Sequence, residues 1–390
     1  MTEKRTLPEG WRWVRFGDVV RQVKDRVDPE TAGLKRYVAG EHMDTDDLVI
    51  RRWGDVGDGY LGPAFHRRFQ PGNVLYGSRR TYLRKVAVPD FEGICANTTF
   101  VLEPNSEDLL PGFLPYVMST DRFHAHSIQQ SKGSVNPYVN FRDLVWYEFP
   151  LPPIEQQRML KVLLCWIEES REMHNVVSEN ASVVAEALIE RAIADARWVA
   201  LEEVLLEPPR NGLTIVPTSE NTGIQSLTVG SASKIGYSPY GAKWIEQPRG
   251  ADRFRVNPGD LFVTRSNTID RVGLPLVVPD SAPSELYYSD LLMRLRPDPS
   301  MIPVFLLERF MRTRRARMFF QSIAAGTSAS MKKINGRNLK TMPVPILDSE
   351  QVSCLHKDLT VLTAFETTNL ESATNVTRIR QALLQDLTRV

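Results

Sequence analysis

The pentapeptide PGNVL at residues 71–75 returns as PGDLF at residues 258–262. In each copy an arginine beside a serine follows within a few residues, as Ser78-Arg79 in the first copy and Arg265-Ser266 in the second. A Val-Pro-Asp then ends both segments. One short match would mean little, but matches that recur in the same order indicate an internal duplication.

More of the chain repeats on either side of this element. RWV at residues 12–14 returns at 197–199, FPLP at 149–152 corresponds to MPVP at 342–345, and EQ at 155–156 returns at 350–351. The offset between copies grows from 185 to 195 residues, as expected when loops change length and the framework does not. The sequence therefore predicts two similar domains.

The predicted fold class is α+β, with two globular domains and two long helices. Short β-like segments at residues 74–76, 85–88 and 98–102 alternate with Gly and Pro turns, and a helix is predicted over 111–130. The second half repeats this pattern, with its helix over 303–323. The predicted division is a first globular domain at 1–152, a central helix at 153–195, a second globular domain at 196–347 and a C-terminal helix at 348–390.

Two segments, residues 154–195 and 349–390, contain neither proline nor glycine. Their apolar residues recur every three or four positions, which is typical of helices that pack together in a coiled coil. We predict that the two helices pair in an antiparallel way and hold the domains apart, with an internal pseudo-two-fold axis. The alternative is two independent helices, each lying on its own domain. The predicted apolar positions are Leu160, Leu163, Ile167, Val177, Ala181, Val184 and Leu188 in the first segment and Val352, Leu355, Leu359, Leu362, Ala373, Val376, Ile379, Leu383 and Leu387 in the second.

The composition limits the class of protein. The 390 residues are 42% hydrophobic and 24% charged, which is typical of an ordinary protein with more than one core. The longest apolar run, near 162–167, is far shorter than the roughly 20 residues of a membrane helix. The first residues show no apolar signal segment, so we predict a cytoplasmic protein without membrane contact. Metal-ligand spacing is absent, which predicts no metal site, exposed His124 and His126, and cysteines that serve in packing (Cys95, Cys165 and Cys354).

Basic residues cluster locally although the formal net charge is only +1. Residues 51–85 contain eight Lys or Arg and two acidic residues, and residues 309–340 contain nine Lys or Arg and no acidic residue. Such patches indicate nucleic-acid binding, and the arginines at 309–317 are predicted either to contact phosphates or to form a solvated face. Residues 154–195 carry eight acidic residues against four Lys or Arg, a balance that favours a protein partner.

Two pairs of loops hold the candidate DNA contacts. The loops after the repeated PG element offer guanidinium groups, which pair bidentately with guanine, and an amide suited to adenine. The loops at 130–140 and 325–335 combine lysine with small hydrogen-bonding residues suited to phosphates and base edges. The alternative for the first pair is a solvated surface, and for the second pair it is a loop that merely leads into the final strand. The candidates are Ser78, Arg79, Arg80, Tyr82, Lys132, Ser134, Asn136 and Tyr138 in the first half and Arg265, Ser266, Asn267, Ser330, Lys332 and Lys333 in the second.

These motifs resemble the specificity subunit of type I restriction–modification enzymes. The residues that carry the resemblance are LPEGW at 7–11, the two PG turns, and PLPPIEQQ at 150–157 leading into a long helix. The second copy of that last element, PVPILDSEQ at 343–351, is degraded, which blurs the start of the second helix. The resemblance covers essentially the whole chain.

The resemblance implies two target-recognition domains that each read a few base pairs of double-stranded DNA, so that the whole target is bipartite and asymmetric. It also implies that the long helices form the spacer and dock two methyltransferase subunits. Those partners would methylate adenine with S-adenosylmethionine, and restriction subunits added to the complex would cleave unmethylated DNA. No cofactor is expected in this chain.

Enzymatic alternatives lack their motifs. NPY at 136–138 is similar to the motif of adenine methyltransferases but lacks its second proline, and no glycine-rich loop follows a predicted strand to hold a cofactor. The acidic residues do not form a nuclease constellation. We therefore predict a chain with no catalytic residue. The remaining alternative is a free-standing bipartite DNA-binding regulator, which co-purification with a methyltransferase subunit would distinguish.

Overall fold

The structure is a computed structural model that describes residues 7–59, 61–233, 236–248, 250–326 and 331–388. It forms two compact units, the first made of Met1–His174 and Glu371–Val390 and the second of Asn175–Leu370. This division cuts both long helices, so each unit contains one globular part and a segment of each helix. The four-part division made from the sequence stays a prediction.

The first unit is built on a four-stranded antiparallel sheet. Its strand after the PG turn is buried on both faces, because Leu75 packs into one core cluster and Tyr76 into another. Phe123 from a covering helix meets the Tyr76 ring edge-on at 5.6 Å. The strands in spatial order are Val20–Val23, Thr99–Pro104, Val74–Gly77 and Val86–Ala87.

Two further sheets complete the first unit. A pair of antiparallel strands, Arg12–Arg15 and Glu148–Leu151, joins the two ends of the globular part. The remaining sheet is mixed, since Arg36–Val38 runs parallel to Gly93–Ala96. Its strands in spatial order are Gly54–Asp55, Arg36–Val38, Gly93–Ala96 and Phe65–Phe69.

The second unit repeats this topology. Its main antiparallel sheet has the spatial order Leu205–Asn211, Leu292–Pro297, Leu261–Thr264 and Pro275–Val277. Its other strands are Lys243–Trp244, Gln225–Leu227 and Leu286–Tyr288 in a mixed sheet, and the pairs Arg197–Ala200 with Pro343–Ile346, Ala232–Ser233 with Gly236–Tyr237, and Ser266–Asn267 with Lys332–Lys333.

Strand register corrects one detail of the sequence match. Pro150 lies opposite Trp13, and Pro345 lies opposite Trp198. The structural counterpart of Pro150 is therefore Pro345, whereas the match of FPLP to MPVP had paired Pro150 with Pro343. The error arose because prolines at alternate positions allow two alignments, and only the cross-strand pairing selects one of them.

The helix predicted in each globular part is broken in two, at equivalent places. The first unit has Leu114–Met118 and Asp121–Gln129, and the second has Val304–Phe310 and Arg314–Ile323. The Thr120 hydroxyl accepts the Phe123 N–H at 3.3 Å, and that of Thr313 accepts the Ala316 N–H at 3.4 Å. A capping threonine therefore starts each second helix. The short helices are Phe16–Val19, Phe141–Leu144 and Gly336–Lys340.

The two long helices span Ile154–Ala192 and Ser349–Asp386. The predicted apolar seam of the first is wrong by one position at two places. Leu163 and Val184 are exposed, whereas their neighbours Leu164 and Ala185 are buried. Each site offers adjacent apolar residues, and spacing alone does not decide which of them faces inward. In the second helix Leu355 and Leu359 are buried as predicted, as is Leu387 just after its end, but Ile379 is exposed.

In the second unit the two helix segments run antiparallel. Ser178 contacts Asn369, and Arg191 lies 3.8 Å from Asp358, so residue numbers rise along one helix as they fall along the other. The whole arrangement of two domains held apart by a coiled coil stays a prediction. None of the helices in the described ranges combines the length and apolar character that crossing a membrane requires.

Candidate nucleic-acid interface

The two loops that were predicted separately in the first half lie side by side. The Val139 N–H donates to the Ser78 carbonyl at 2.9 Å, and the Arg80 N–H donates to the Pro137 carbonyl at 2.6 Å. The guanidinium carbon of Arg79 lies 5.8 Å from the centre of the Tyr138 ring. Backbone pairing therefore brings the arginine loop and the second loop into a single surface.

The second loop is a closed hairpin, which we name the 132–138 hairpin. The Lys132 N–H donates to the Tyr138 carbonyl at 2.8 Å, and the Tyr138 N–H donates back to the Lys132 carbonyl at 2.9 Å. Gly133 begins its turn with a φ of +92°, in the region that favours glycine. Ser134 and Asn136 are exposed at its tip.

Asp143 anchors this hairpin to the domain. Its carboxylate lies 3.0 Å from the Lys132 ammonium and accepts the side-chain amide of Asn140 at 3.1 Å. Partial burial raises the pKa of Asp143, but the hydrogen bonds from Lys132 and Asn140 outweigh this and the net shift of the pKa is downward. The carboxylate is therefore ionised at neutral pH and holds Lys132, whose charge is partly neutralised.

Arg80 and Arg84 flank a short turn, and both have a left-handed backbone with φ of 52° and 51°. Non-glycine residues rarely adopt this conformation, so the surrounding contacts must hold it. The Arg84 guanidinium donates to Asp46 and to Asp121, each at 2.7 Å, and the Arg80 N–H is held by the Pro137 carbonyl. The side chains of Arg80 and Tyr82 are exposed.

The second unit has the same loop pairing with different side chains. Ser266 pairs with Lys333 and Asn267 with Lys332, and the Ile334 N–H donates to the Arg265 carbonyl at 2.9 Å. Two backbone hydrogen bonds of 2.8 Å join Ala325 and Lys333. Ser330, a predicted contact, lies outside the described residues.

Hydrogen bonding places the arginines of the two halves one position apart. The carbonyls of Ser78 and Arg265 accept from Val139 and Ile334, so Ser78 is the counterpart of Arg265. Treating Arg79 and Arg265 as matching positions is therefore wrong by one residue. The register had been read from the Arg-Ser pair, whose order is reversed between the copies.

The predicted DNA contacts differ in how far their side chains are exposed to solvent. Ser78 and Ser266 are buried, and the Ser78 hydroxyl donates to the Thr98 carbonyl at 2.7 Å, so both serines belong to the framework and do not face solvent. Arg265 is half-buried, and its Nη1 donates to the Asp290 carbonyl at 3.2 Å. Asn267 and Lys332 are partly buried as well. The exposed candidates are Arg79, Arg80, Tyr82, Lys132, Ser134, Asn136, Tyr138 and Lys333.

The arginines of 309–317 have carboxylate partners that the sequence segment did not reveal. Arg309 lies 3.3 Å from Glu366, Arg312 lies 2.5 Å from Glu308, and Arg315 lies 3.4 Å from Glu190. Arg317 donates to the backbone carbonyls of Asp270 and Val272. Because Glu190 and Glu366 belong to the long helices, Arg315 and Arg309 fasten these helices to the globular part. Phosphate contact is disfavoured for the half-buried Arg309, Arg312 and Arg317 and stays a prediction for the exposed Arg314 and Arg315.

The histidines and cysteines also depart from prediction. His124 is only 2% exposed, so the predicted exposed histidine is wrong, and His126 is half-buried with Nε2 3.1 Å from the Asp143 carbonyl. Burial, with a smaller contribution from Arg84, lowers the pKa of His124 to about 3. Cys95 is buried as predicted, Cys165 is half-buried, and Cys354 is exposed and does not pack.

Sequence reasoning missed one exposed residue at this surface, Val135, which lies between Ser134 and Asn136 at the hairpin tip. A single valine in a loop rich in Ser, Gly and Asn was the available signal. It was overlooked because only polar side chains had been considered as DNA contacts.

Comparison with known proteins relates the chain to one group. No protein-family model matches it. The type I restriction enzyme EcoDI specificity subunit of Escherichia coli is 24% identical over 209 residues, which are 51% of this chain and 45% of that protein. The matched segment thus spans less than half the length of this curated relative.

Two solved structures share the fold along the whole length. A chain from a structure of the assembly and conformational transition of a type I restriction–modification system is 21% identical, with a TM-score of 0.50 over 98% of each chain. The S subunit of a type I restriction–modification system from M. genitalium is 12% identical, with a TM-score of 0.52 over 100% of this chain and 99% of that one. At these identities the likeness shows a common fold.

Proposed function

We propose that this chain is a non-catalytic DNA-recognition subunit that reads a two-part, asymmetric DNA sequence, in the manner of type I specificity subunits. The observation that carries the proposal is the loop pairing that recurs in both units with different side chains. Arg79 and Tyr138 occupy the paired positions in the first unit, and Ser266 and Lys333 occupy them in the second. The exposed groups differ between the units, since Arg79 and Tyr138 face solvent in the first and Lys333 does in the second, whereas Ser266 is buried. Equivalent frameworks with different exposed groups suit two half-sites of different sequence.

The chemistry of the first surface fits double-stranded DNA. Arg79 and Arg80 offer donor forks for guanine or phosphate, and Asn136 offers an amide for adenine. Tyr138 and Tyr82 add exposed hydroxyl groups. The positive charge is local because the net charge of the chain is only +1, so affinity depends on this surface and not on a general basic coat.

We propose that the two long helices set the distance between the half-sites. Heptad insertions test this, since seven residues after Ser178 and seven at the facing Asn369 preserve the helix pairing. Each insertion lengthens its helix by about 10 Å, which corresponds to roughly three base pairs. The unread gap should then grow while the half-sites keep their sequences, and an unchanged gap would contradict the spacer role.

The outer face of the central helix is the proposed docking surface for a methyltransferase subunit. Met159, Trp166 and Met173 recur every seven residues, and each is 63% exposed. With Val162 they form one apolar stripe on a helix in which acidic residues outnumber Lys and Arg. S-adenosylmethionine would then be bound by the partner, and restriction subunits would join through it.

A matched pair of tryptophan variants tests this docking. Trp166→Glu should weaken binding of the methyltransferase subunit roughly thirtyfold, the effect of losing a tryptophan hot spot. Trp146→Glu is the control, because Trp146 is 65% exposed but lies in the globular part. Equal binding of the methyltransferase subunit by both variants would mean that the central helix is not part of the interface.

Selection of bound DNA from a random pool, using the full chain with a methyltransferase subunit, tests the function itself. We expect enrichment of two short, different sequences separated by a fixed unread gap. The chain alone should neither methylate nor cut this DNA. One continuous site, or no enrichment, would contradict the proposal. A free-standing regulator would instead enrich the bipartite site while binding no methyltransferase subunit.

A further inference from the structure

The tip of the 132–138 hairpin carries an apolar side chain in solvent. Val135 is 91% exposed, more than any other large hydrophobic residue in the described part of the chain. Its neighbours Ser134 and Asn136 are exposed and polar. An apolar group held this far from any core contributes little to folding through burial, so its methyl groups are available to a ligand that meets the tip.

The hairpin presents Val135 on a fixed stem. Two backbone hydrogen bonds between Lys132 and Tyr138 close the stem, and Asp143 holds Lys132 at 3.0 Å. The Arg80 N–H fastens the returning strand through the Pro137 carbonyl. The stem of the hairpin is thus held by contacts at Lys132, Pro137 and Tyr138, which lowers the conformational entropy that the tip loses when it meets a ligand.

We propose that Val135 recognises the 5-methyl group of a thymine in the major groove, next to an adenine read by Asn136. This inference rests on the proposed function. The thymine methyl is the apolar feature that base edges offer in the major groove, and amide side chains pair with adenine there. Apolar wedges that enter between base steps act from the minor groove, whereas an amide reads the N6 and N7 edge of adenine from the major groove.

The test is a binding cycle between one protein side chain and one methyl group. Using the DNA target found by selection, each thymine of the first half-site is replaced in turn by uracil, which lacks only the 5-methyl group. Affinities are measured for the full chain and for Val135→Ser. Val361→Ser is the matched control, since Val361 is also strongly exposed but lies on the C-terminal helix.

At one thymine, uracil should weaken binding by the unaltered chain about fourfold, the factor expected for burying one methyl-sized group. Val135→Ser should bind the thymine target about fourfold more weakly and should no longer distinguish thymine from uracil. Val361→Ser should behave as the unaltered chain does. Thermal unfolding of Val135→Ser should match that of the unaltered chain, since the side chain packs against no core.

Two results would overturn the inference. One is equal affinity of the unaltered chain for thymine and uracil at every position of the half-site. The other is a Val135→Ser variant that still binds thymine DNA more tightly than uracil DNA. A Val135→Ser variant that loses affinity although no uracil substitution weakens binding would also overturn it, because this is the behaviour expected of a wedge. Failure of the proposed function is distinct, because the selection would then enrich no bipartite target on which to begin the cycle.

Discussion

The side-chain amide of Asn369 donates a hydrogen bond to the Ser178 hydroxyl at 2.9 Å, inside the helix pair of the second unit. Asn369 is buried at this level of the helix pair. A buried asparagine in a helix seam costs stability but favours the one register in which it finds a partner. Here it aligns the C-terminal helix with the central helix at this level.

Replacing Asn369 by leucine should therefore raise the free energy of unfolding by roughly 1 kcal/mol, because apolar burial exceeds the net value of one hydrogen bond. Urea denaturation of the full chain measures this. Asn375→Leu, at an exposed position of the same helix, should change stability by less than about 0.5 kcal/mol. A clear loss of stability in Asn369→Leu would mean that the polar pair itself holds the helices together.

Glu168 holds two arginines in the helix pair of the first unit. It accepts from Arg380, whose side chain is 4% exposed, and from Arg171 at 2.6 Å. Glu168→Ala would leave the Arg380 charge buried without this partner, and we expect a loss of roughly 3–5 kcal/mol in unfolding free energy. The control Glu169→Ala removes an exposed neighbour and should cost less than about 0.5 kcal/mol. A loss of unfolding free energy in Glu168→Ala as small as that in Glu169→Ala would show that the ion pair of Glu168 with Arg380 contributes little.

The burial of His124 predicts an acid sensitivity. In the unfolded chain His124 takes up a proton near the ordinary histidine pKa of 6.5. In the folded chain it stays neutral down to about pH 3, because burial lowers its pKa. The unfolded state binds more protons in this window, so stability falls as pH falls from 6.5 toward 3. Titration of His124 lowers the free energy of unfolding by about 1.4 kcal/mol per pH unit in this window, and His124→Phe should remove this dependence.

Unfolding free energies at pH 7.5 and pH 5.5 measure the effect. At pH 7.5 the histidine is neutral in both states, so the two proteins differ there only through packing. The difference between His124→Phe and the unaltered chain should then grow in favour of the variant at pH 5.5. A constant difference at the two pH values would mean that His124 is protonated in the folded chain.

Features set by local sequence were predictable. The strand at 74–77 follows a PG turn and is apolar on both faces, and the long helices follow from the absence of proline and glycine. The break at Thr120 was also readable, since a threonine before Asp is a helix-start signal, but the segment 111–130 was predicted as one continuous helix.

Features set by distant partners were not predictable. Glu366 pairs with Arg309 across 57 positions of sequence, and the Arg80 to Pro137 contact also spans 57 positions. Both candidate loops were identified from residue types, but nothing local could show that they lie against each other. Packing likewise decides whether Leu163 or Leu164 faces inward, because the helical period alone permits either residue at the buried position.

Gly133 gives a test of hairpin geometry that does not alter any proposed contact. At φ of +92° an alanine is strained, so Gly133→Ala should distort the tip at a cost of roughly 1 kcal/mol. Binding to DNA that carries the first half-site should weaken accordingly, while thermal unfolding of the whole chain changes little. Gly57→Ala is the control, because its new Cβ meets no atom within 4 Å. Unchanged DNA binding by Gly133→Ala would mean that the tip does not touch DNA.

The exposed guanidinium of Arg79 and the half-buried one of Arg265 should behave differently. Arg79→Ala should cost roughly 1–3 kcal/mol on DNA with the first half-site and almost nothing on random DNA, if the guanidinium pairs with guanine. Arg79→Lys separates the possible contacts, since lysine keeps a phosphate contact but not a bidentate fork.

Arg265→Ala removes the hydrogen bond to the Asp290 carbonyl and should lower stability more than DNA affinity. Fluorescence anisotropy on matched and random duplexes, beside urea denaturation, measures both. Equal loss on the two duplexes for Arg79→Ala, with full rescue by lysine, would make Arg79 a phosphate contact.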